Sequence, residues 1–137
     1  MSRILRAVVA LVLTASCIDA ASASADVVLD WNVIALKTTA AAPFNPPLET
    51  RNLAIVHAAM FDAVNSITGE SPAYVVKLRA PRRAFAEAAA VAAAHTTLVK
   101  LYPDQQSMLD AAYTASINRI AEGRAGQTVC VSANPSR

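Results

Sequence analysis

Asn45-Pro46-Pro47-Leu48-Glu49-Thr50-Arg51-Asn52-Leu53-Ala54-Ile55-Val56-His57-Ala58-Ala59-Met60-Phe61-Asp62-Ala63-Val64-Asn65 decides the fold class. Leu53, Val56, His57, Met60, Phe61 and Val64 recur at three- and four-residue spacing, which lines one side of an α-helix. Asn45 is a natural N-cap, and Pro46 suits a first turn where a missing N–H costs little. The stretch therefore predicts a helix over 46–65, with Gly69 in the loop after it. Ser71-Pro72 keeps that helix from resuming.

The same period appears on either side. Upstream, Val27, Trp31 and Ile34, with Val28 and Ala35 beside them, predict a helix from an Asp26 N-cap to about Lys37. Pro43, Pro46 and Pro47 separate it from the next. Downstream, Ala84, Ala88, Val91, His95, Leu98 and Tyr102 share a face and predict a helix from about Pro81 to Leu101. The alanine run 88–94, broken only by Val91, has high helix propensity and offers a thin surface for close packing. Pro103 ends that helix. Asp104 can cap a fourth, to about Ala121, with Leu109, Ala112, Tyr113, Ser116, Ile117 and Ile120 on one face, and Gly123 is a natural stop. The class is all-α: about four helices in a partial bundle with an irregular, disordered C-terminal tail, residues 124–137. Within that tail 128–132 has strand character but no second strand to pair with.

The first 25 residues read as a signal peptide. Arg3 and Arg6 precede an apolar run, and small residues end in Ala23-Ser24-Ala25, so cleavage is expected after Ala25 and export follows. The run is shorter than the ~20 residues a bilayer span needs. The remaining parts are a helical partial-bundle domain, 26–123, and the tail. Losing Arg3, Arg6 and Asp19 lowers the formal net charge from +2 to +1. Such a balance gives no reason to expect a nucleic-acid partner. Cys17 leaves with the leader, so Cys130 is the only thiol of the mature chain and no internal disulfide can form.

Few residues here carry the chemistry of a site. His57 and His95 are the only histidines. A zinc site needs three or four ligands, and Asp62, five residues after His57, is turned about 140° away around the helix. Neither His-x-x-x-His nor Glu-x-x-His occurs, so each histidine reads as a core-edge residue with one hydrogen bond. Arg51, Ile55, Ala58, Asp62 and Asn65 form a second, partly polar stripe; Arg51 and Asp62 either organise a site or pair with neighbouring helices, and pairing is the simpler reading. Arg79, Arg82 and Arg83 make a basic cluster at a helix start. Cations there oppose the helix dipole, and no glycine-rich loop accompanies them, so a solvated surface fits better than a phosphate site. Cys130 has no histidine near it in sequence and does not read as a nucleophile. There is no nucleophile elbow, phosphate loop, dinucleotide fingerprint or Cys-x-x-Cys. No catalytic, cofactor-binding or metal-binding residue is assigned.

Three segments taken in order carry a resemblance: Trp31-Asn32, then 47–65 with its core His57-Ala58-Ala59-Met60-Phe61-Asp62-Ala63-Val64-Asn65, then 84–95 followed by Leu101-Tyr102-Pro103-Asp104. This order resembles the N-terminal helical region of secreted bacterial proteins related to vanadium-dependent haloperoxidases, which group with the type-2 phosphatidic acid phosphatases. The likeness covers roughly 26–120. It implies that vanadate or phosphate chemistry belongs to a C-terminal half built on a lysine with Arg-Pro, then Pro-Ser-Gly-His, then an arginine followed by a histidine. None of those motifs occurs here; Pro81-Arg82 is the reverse order. The resemblance therefore implies an inactive N-terminal helical fragment, by truncation or a shifted frame, with no vanadate ligand of its own. Its partner would be the missing helical bundle or a second copy. Trp31, Phe61, Leu98, Tyr113 and Ile117 are expected to need cover from helices outside this chain. The alternative from another class is a free-standing exported helical interaction module.

Overall fold

The structure is a computed structural model that describes residues 23–43, 45–77, 80–81 and 84–132, with the backbone alone for 23–26 and 125–132. Four α-helices follow one another: α1, Ala23–Ala40; α2, Pro46–Thr68; α3, Ala86–Leu101; and α4, Gln106–Ser132. A 3-10 turn, Pro103–Gln105, joins the last two, and there is no strand among the described residues. The all-α class and the four segments are as the periodicity predicts. The cleavage site expected after Ala25 falls in the first turn of α1, and the rest of the expected leader lies outside the described residues.

The ends of the helices show which local signals decide. Asn45 does cap α2: its Oδ1 accepts from Leu48 N at 3.3 Å, and its own N–H donates to Glu49 Oε1 at 3.2 Å. That reciprocal pair satisfies two groups that a helix start leaves open. Gly69 ends α2 at φ +67°, the left-handed conformation that costs glycine least, and its N–H donates to Asn65 O at 2.8 Å.

Elsewhere the ends move. α1 starts at Ala23, so Asp26 lies inside the helix instead of capping it. At its other end the helix runs three residues past Lys37, and Thr38 and Thr39 turn their hydroxyls back onto Ile34 O and Ala35 O. Those bonds satisfy two hydroxyls on residues that are otherwise buried. Gln105 Nε2 then donates to Thr38 O at 2.9 Å, covering a carbonyl left open at the helix end.

α3 begins at Ala86, five residues later than Pro81 suggests, because Phe85 is extended at φ −107°, ψ 128°. Phe85 lies under the Arg124 guanidinium, 3.5 Å from the ring centroid. The same contact bears on the largest correction: α4 does not stop at Gly123 but continues to Ser132. Gly123 and Gly126 both lie inside it, at about 1 kcal/mol each, and the exposed cation–π contact recovers about 0.5–1 kcal/mol of that. Residues 128–132, with strand character in sequence, are helical in backbone, and Cys130 lies on that last stretch. The stretch read as an irregular tail from 124 is thus helical as far as Ser132, and 133–137 lie outside the described residues.

The core lies where α3 meets the other three helices. Trp31 and Ala35 of α1, Val56 and Met60 of α2, Ala90, Val91, Ala94 and Leu98 of α3, and Leu109 of α4 are buried. Ala90 and Ala94 carry the thin surface that the alanine run predicts, and α3 packs most extensively against α2. Burying a residue such as Leu98 or Leu109 contributes about 1.5–3 kcal/mol each. The expected need for outside cover is corrected for two residues. Trp31 and Leu98 are both 0% exposed within this chain, and Tyr113 and Ile117 are partly covered by the same core, while Phe61 is exposed. The four helices bring these apolar side chains together on one side as a shared core.

Candidate functional site

The densest polar and aromatic grouping sits between α1, α3 and α4. His95 stands on α3, seven residues before Tyr102 and the turn that reverses the chain; Asp110, Tyr113 and Ser116 follow on α4. Nε2–H of His95 donates to Asp110 Oδ1 at 2.7 Å. Tyr113 leans over the imidazole, with ring centroids 4.7 Å apart and planes at 37°, and Trp31 meets it edge-on at 6.4 Å and 86°. Trp31 Nε1–H donates to Ser116 Oγ at 3.2 Å, a buried bond that joins α1 to α4. On the outer side of the same two helices Arg119 pairs with Asp30.

A histidine held by a carboxylate is half of an acid–base device. The Ser116 hydroxyl accepts from Trp31, and the imidazole is boxed by two aromatic rings. Asp110 is half-exposed, so the pair is screened by water and contributes at most about 1 kcal/mol. The geometry makes His95 a bracket between α3 and α4.

His57 is exposed, and its Nε2–H donates to Asn32 Oδ1 at 2.9 Å, tying α2 to α1. Each histidine thus has one side-chain hydrogen-bond partner, as read from sequence, though His57 lies on the surface and not at a core edge. Among the described residues no three His, Cys, Asp or Glu side chains lie together as metal ligands.

The second stripe of α2 divides. Asp62 and Asn65 clasp the chain that follows Gly69. Asp62 Oδ1 accepts from Tyr74 N–H at 2.6 Å, and its Oδ2 accepts from Val75 and Val76 N–H at 2.8 Å each. The bond from Val76 is the leading reason the carboxyl is held below its ordinary value; burial opposes it, and the bonds from Tyr74 and Val75 add to it. Asn65 both donates to Ser71 O at 2.7 Å and accepts from Ser71 N at 2.9 Å. Arg51 takes no part in this clasp and does not meet Asp62. It is exposed at the other end of α2, where an apolar groove opens between α2 and α3. Arg79, Arg82 and Arg83 lie outside the described residues.

Sequence reading missed Asp110 as the partner of His95 and the backbone of 74–76 as the partner of Asp62. The first was findable: His95 is eight residues before Pro103 and Asp110 seven after, so a hairpin folded there sets them opposite. The second had no signal, since a carboxylate that meets main-chain N–H groups leaves no mark on the residues it meets. Asn52 was missed too. Its Nδ2 donates to the Tyr102 hydroxyl at 2.9 Å, while its buried Oδ1 has no partner. No known family matches the chain, and no curated protein or solved structure shows detectable similarity to it.

Proposed function

We propose that this chain is an exported helical docking module, the N-terminal helical part of a protein related to vanadium-dependent haloperoxidases, without an oxyanion site of its own. The observation that carries the reading is α1. Its inner side supplies Trp31 and Ala35 to the core. Its outer side presents Leu29, Val33 and Leu36, which are 64%, 46% and 46% exposed. Leu29 is turned about 200° from Trp31 around the helix, so the two apolar faces are opposed. Asp30, Asn32 and Lys37 lie between those faces, and a second, exposed apolar face of this kind marks a surface for a further element. The ordered likeness from Trp31-Asn32 through Asp104 supplies the family, and further helices of such a protein are the natural cover.

The free-standing interaction module is the second reading, favoured by the complete burial of Trp31, Leu98 and Leu109 inside these four helices alone.

The test measures surface and activity together. The purified chain is expected to self-associate in sedimentation and to bind an apolar-surface dye. Leu29→Gln/Val33→Gln/Leu36→Gln is expected to abolish both with an unchanged helical circular dichroism spectrum. A dye-silent, monodisperse monomer would sink the docking reading. Bromination of a phenol dye with vanadate and peroxide is expected to stay at background; turnover lost in His95→Asn or His57→Asn would overturn the claim that the chain is inactive.

A further inference from the structure

The groove between α2 and α3 has a volume of about 770 Å³, within the roughly 300–1,000 Å³ of small-molecule sites. Ala54, Ile55, Ala58 and Ala93 supply most of its floor, and Tyr74, Val75 and Val76 wall its far end. The two helices run antiparallel along it, since Asn52 near the start of α2 bonds Tyr102 just past the end of α3. Arg51 and Lys100 therefore flank the same end. Both are exposed, and neither has an ion-pair or hydrogen-bond partner among the described residues. The one carboxylate in the lining, Asp62, stands at the opposite end and is saturated by three main-chain N–H groups. Among the described residues the groove is thus largely apolar, with Thr96 and Thr97 in its lining, and its cations stand at one end.

We propose that this groove binds a single-chain anionic amphiphile, a medium-chain carboxylate, with its alkyl chain along the alanine floor and its headgroup between Arg51 and Lys100. From Arg51 to Asp62 the helix axis advances about 16 Å, the length of a medium alkyl chain. The segment 74–76, held by Asp62, stands at the far end of the groove, and a chain of that length reaches it from the cationic end. Two exposed cations fix direction more than affinity, and the apolar floor supplies most of the binding. This site is separate from the outer face of α1.

The test titrates the full chain with sodium dodecanoate below its micelle concentration, by calorimetry, with amide NMR to locate binding. One-to-one binding is expected, with shifts centred on Ile55, Ala58 and Thr97. Dodecyltrimethylammonium, with the same chain and the opposite charge, is expected to bind far more weakly. Arg51→Gln/Lys100→Gln, at two exposed positions, is expected to weaken dodecanoate by about five- to tenfold. Ala58→Phe is expected to abolish binding by filling the floor. Equal affinity for the two amphiphiles, an unaffected double variant or shifts on the outer face of α1 would overturn the proposal. So would a dimer that Ala58→Phe dissociates while dodecanoate leaves it intact, which would give the groove to a second copy of the chain.

Discussion

Ser116→Ala removes one oxygen and is expected to cost more than its size suggests. Ser116 is buried, and its hydroxyl accepts the Trp31 indole N–H at 3.2 Å. Alanine fits the site without strain, so the packing loss is small. What remains is an indole N–H with no acceptor on a side chain that is fully buried. Leaving such a donor unsatisfied costs about 1–3 kcal/mol. For a domain of this size about 1 kcal/mol corresponds to a fall in Tm of roughly 4–8 °C, so a drop near 10 °C is expected. Trp31→Phe removes the donor and part of the ring, and loses about 2–3 kcal/mol from the cavity and the bond together. In the Trp31→Phe background, Ser116→Ala no longer strands a donor. The double variant should therefore recover about 1 kcal/mol relative to the sum of the singles. Urea unfolding followed by far-ultraviolet circular dichroism measures all three variants. The only tryptophan in the chain reports separately on Ser116→Ala, where its emission should keep the short wavelength of a buried indole. Additivity within about 0.4 kcal/mol would refute the reasoning, because it would mean that Trp31 is held by packing alone.

Other sites give contrasting expectations. Asp62→Asn should release 74–76 and speed proteolysis between Tyr74 and Lys77 while helix content stays constant. Because the folded carboxyl is held below its ordinary value of 3.8, its contribution is complete above that value and is lost as pH falls below it toward the folded pKa. Acid should therefore loosen the wild-type loop, whereas the Asp62→Asn variant should show no such step by the same proteolytic assay. Asp110→Asn should cost no more than about 1 kcal/mol in urea, because the pair of His95 and Asp110 is open to water; a larger loss would make the pair a central strut. Asn52→Leu should change stability by less than about 1 kcal/mol, since removing a buried oxygen with no partner offsets the loss of the bond from Nδ2 to the Tyr102 hydroxyl. A fall in the urea midpoint worth more than about 1.5 kcal/mol would mean that this oxygen is satisfied in solution.

Local chemistry made the helices legible and tertiary chemistry moved their ends. Asn45, Pro46 and Gly69 act on their own neighbours, so the start of α2 and the break after it follow from the residues in the segment. Gly123 illustrates the other case. Its preference for ending a helix is worth about 1 kcal/mol, a margin that one contact from Arg124 to Phe85, thirty-nine residues away, can offset. Pro81 fails as a helix start for a related reason, since Phe85 is held extended on the far side of that contact. Faces are read less well than periods. Phe61 belongs to the apolar stripe of α2 by spacing, yet it is exposed, while Asn52 and Asp62 are buried. Spacing says which residues share a side, but the neighbour that arrives against α2 sets which edge of that side is covered.

The polar residues divide along the same line. An apolar stripe needs only a surface to meet, so it is visible in one segment. A polar side chain needs a particular partner, and its role stays open until that partner is placed. His95 and Asp110 lie on the two arms of a hairpin and could be paired by counting from Pro103. Arg51 and Asp62 share one stripe of one helix, which suggests parts of a single device, and they are not. Asp62 is consumed by the main chain of 74–76, and Arg51 is left at the other end with Lys100. That separation gives the α2–α3 groove a direction: had Asp62 met Arg51, the positive end would have been neutralised, and an apolar trough between alanine-rich helices would favour no particular headgroup. With the carboxylate tied down at one end, the two cations at the other are what remains, among the described residues, to choose an occupant.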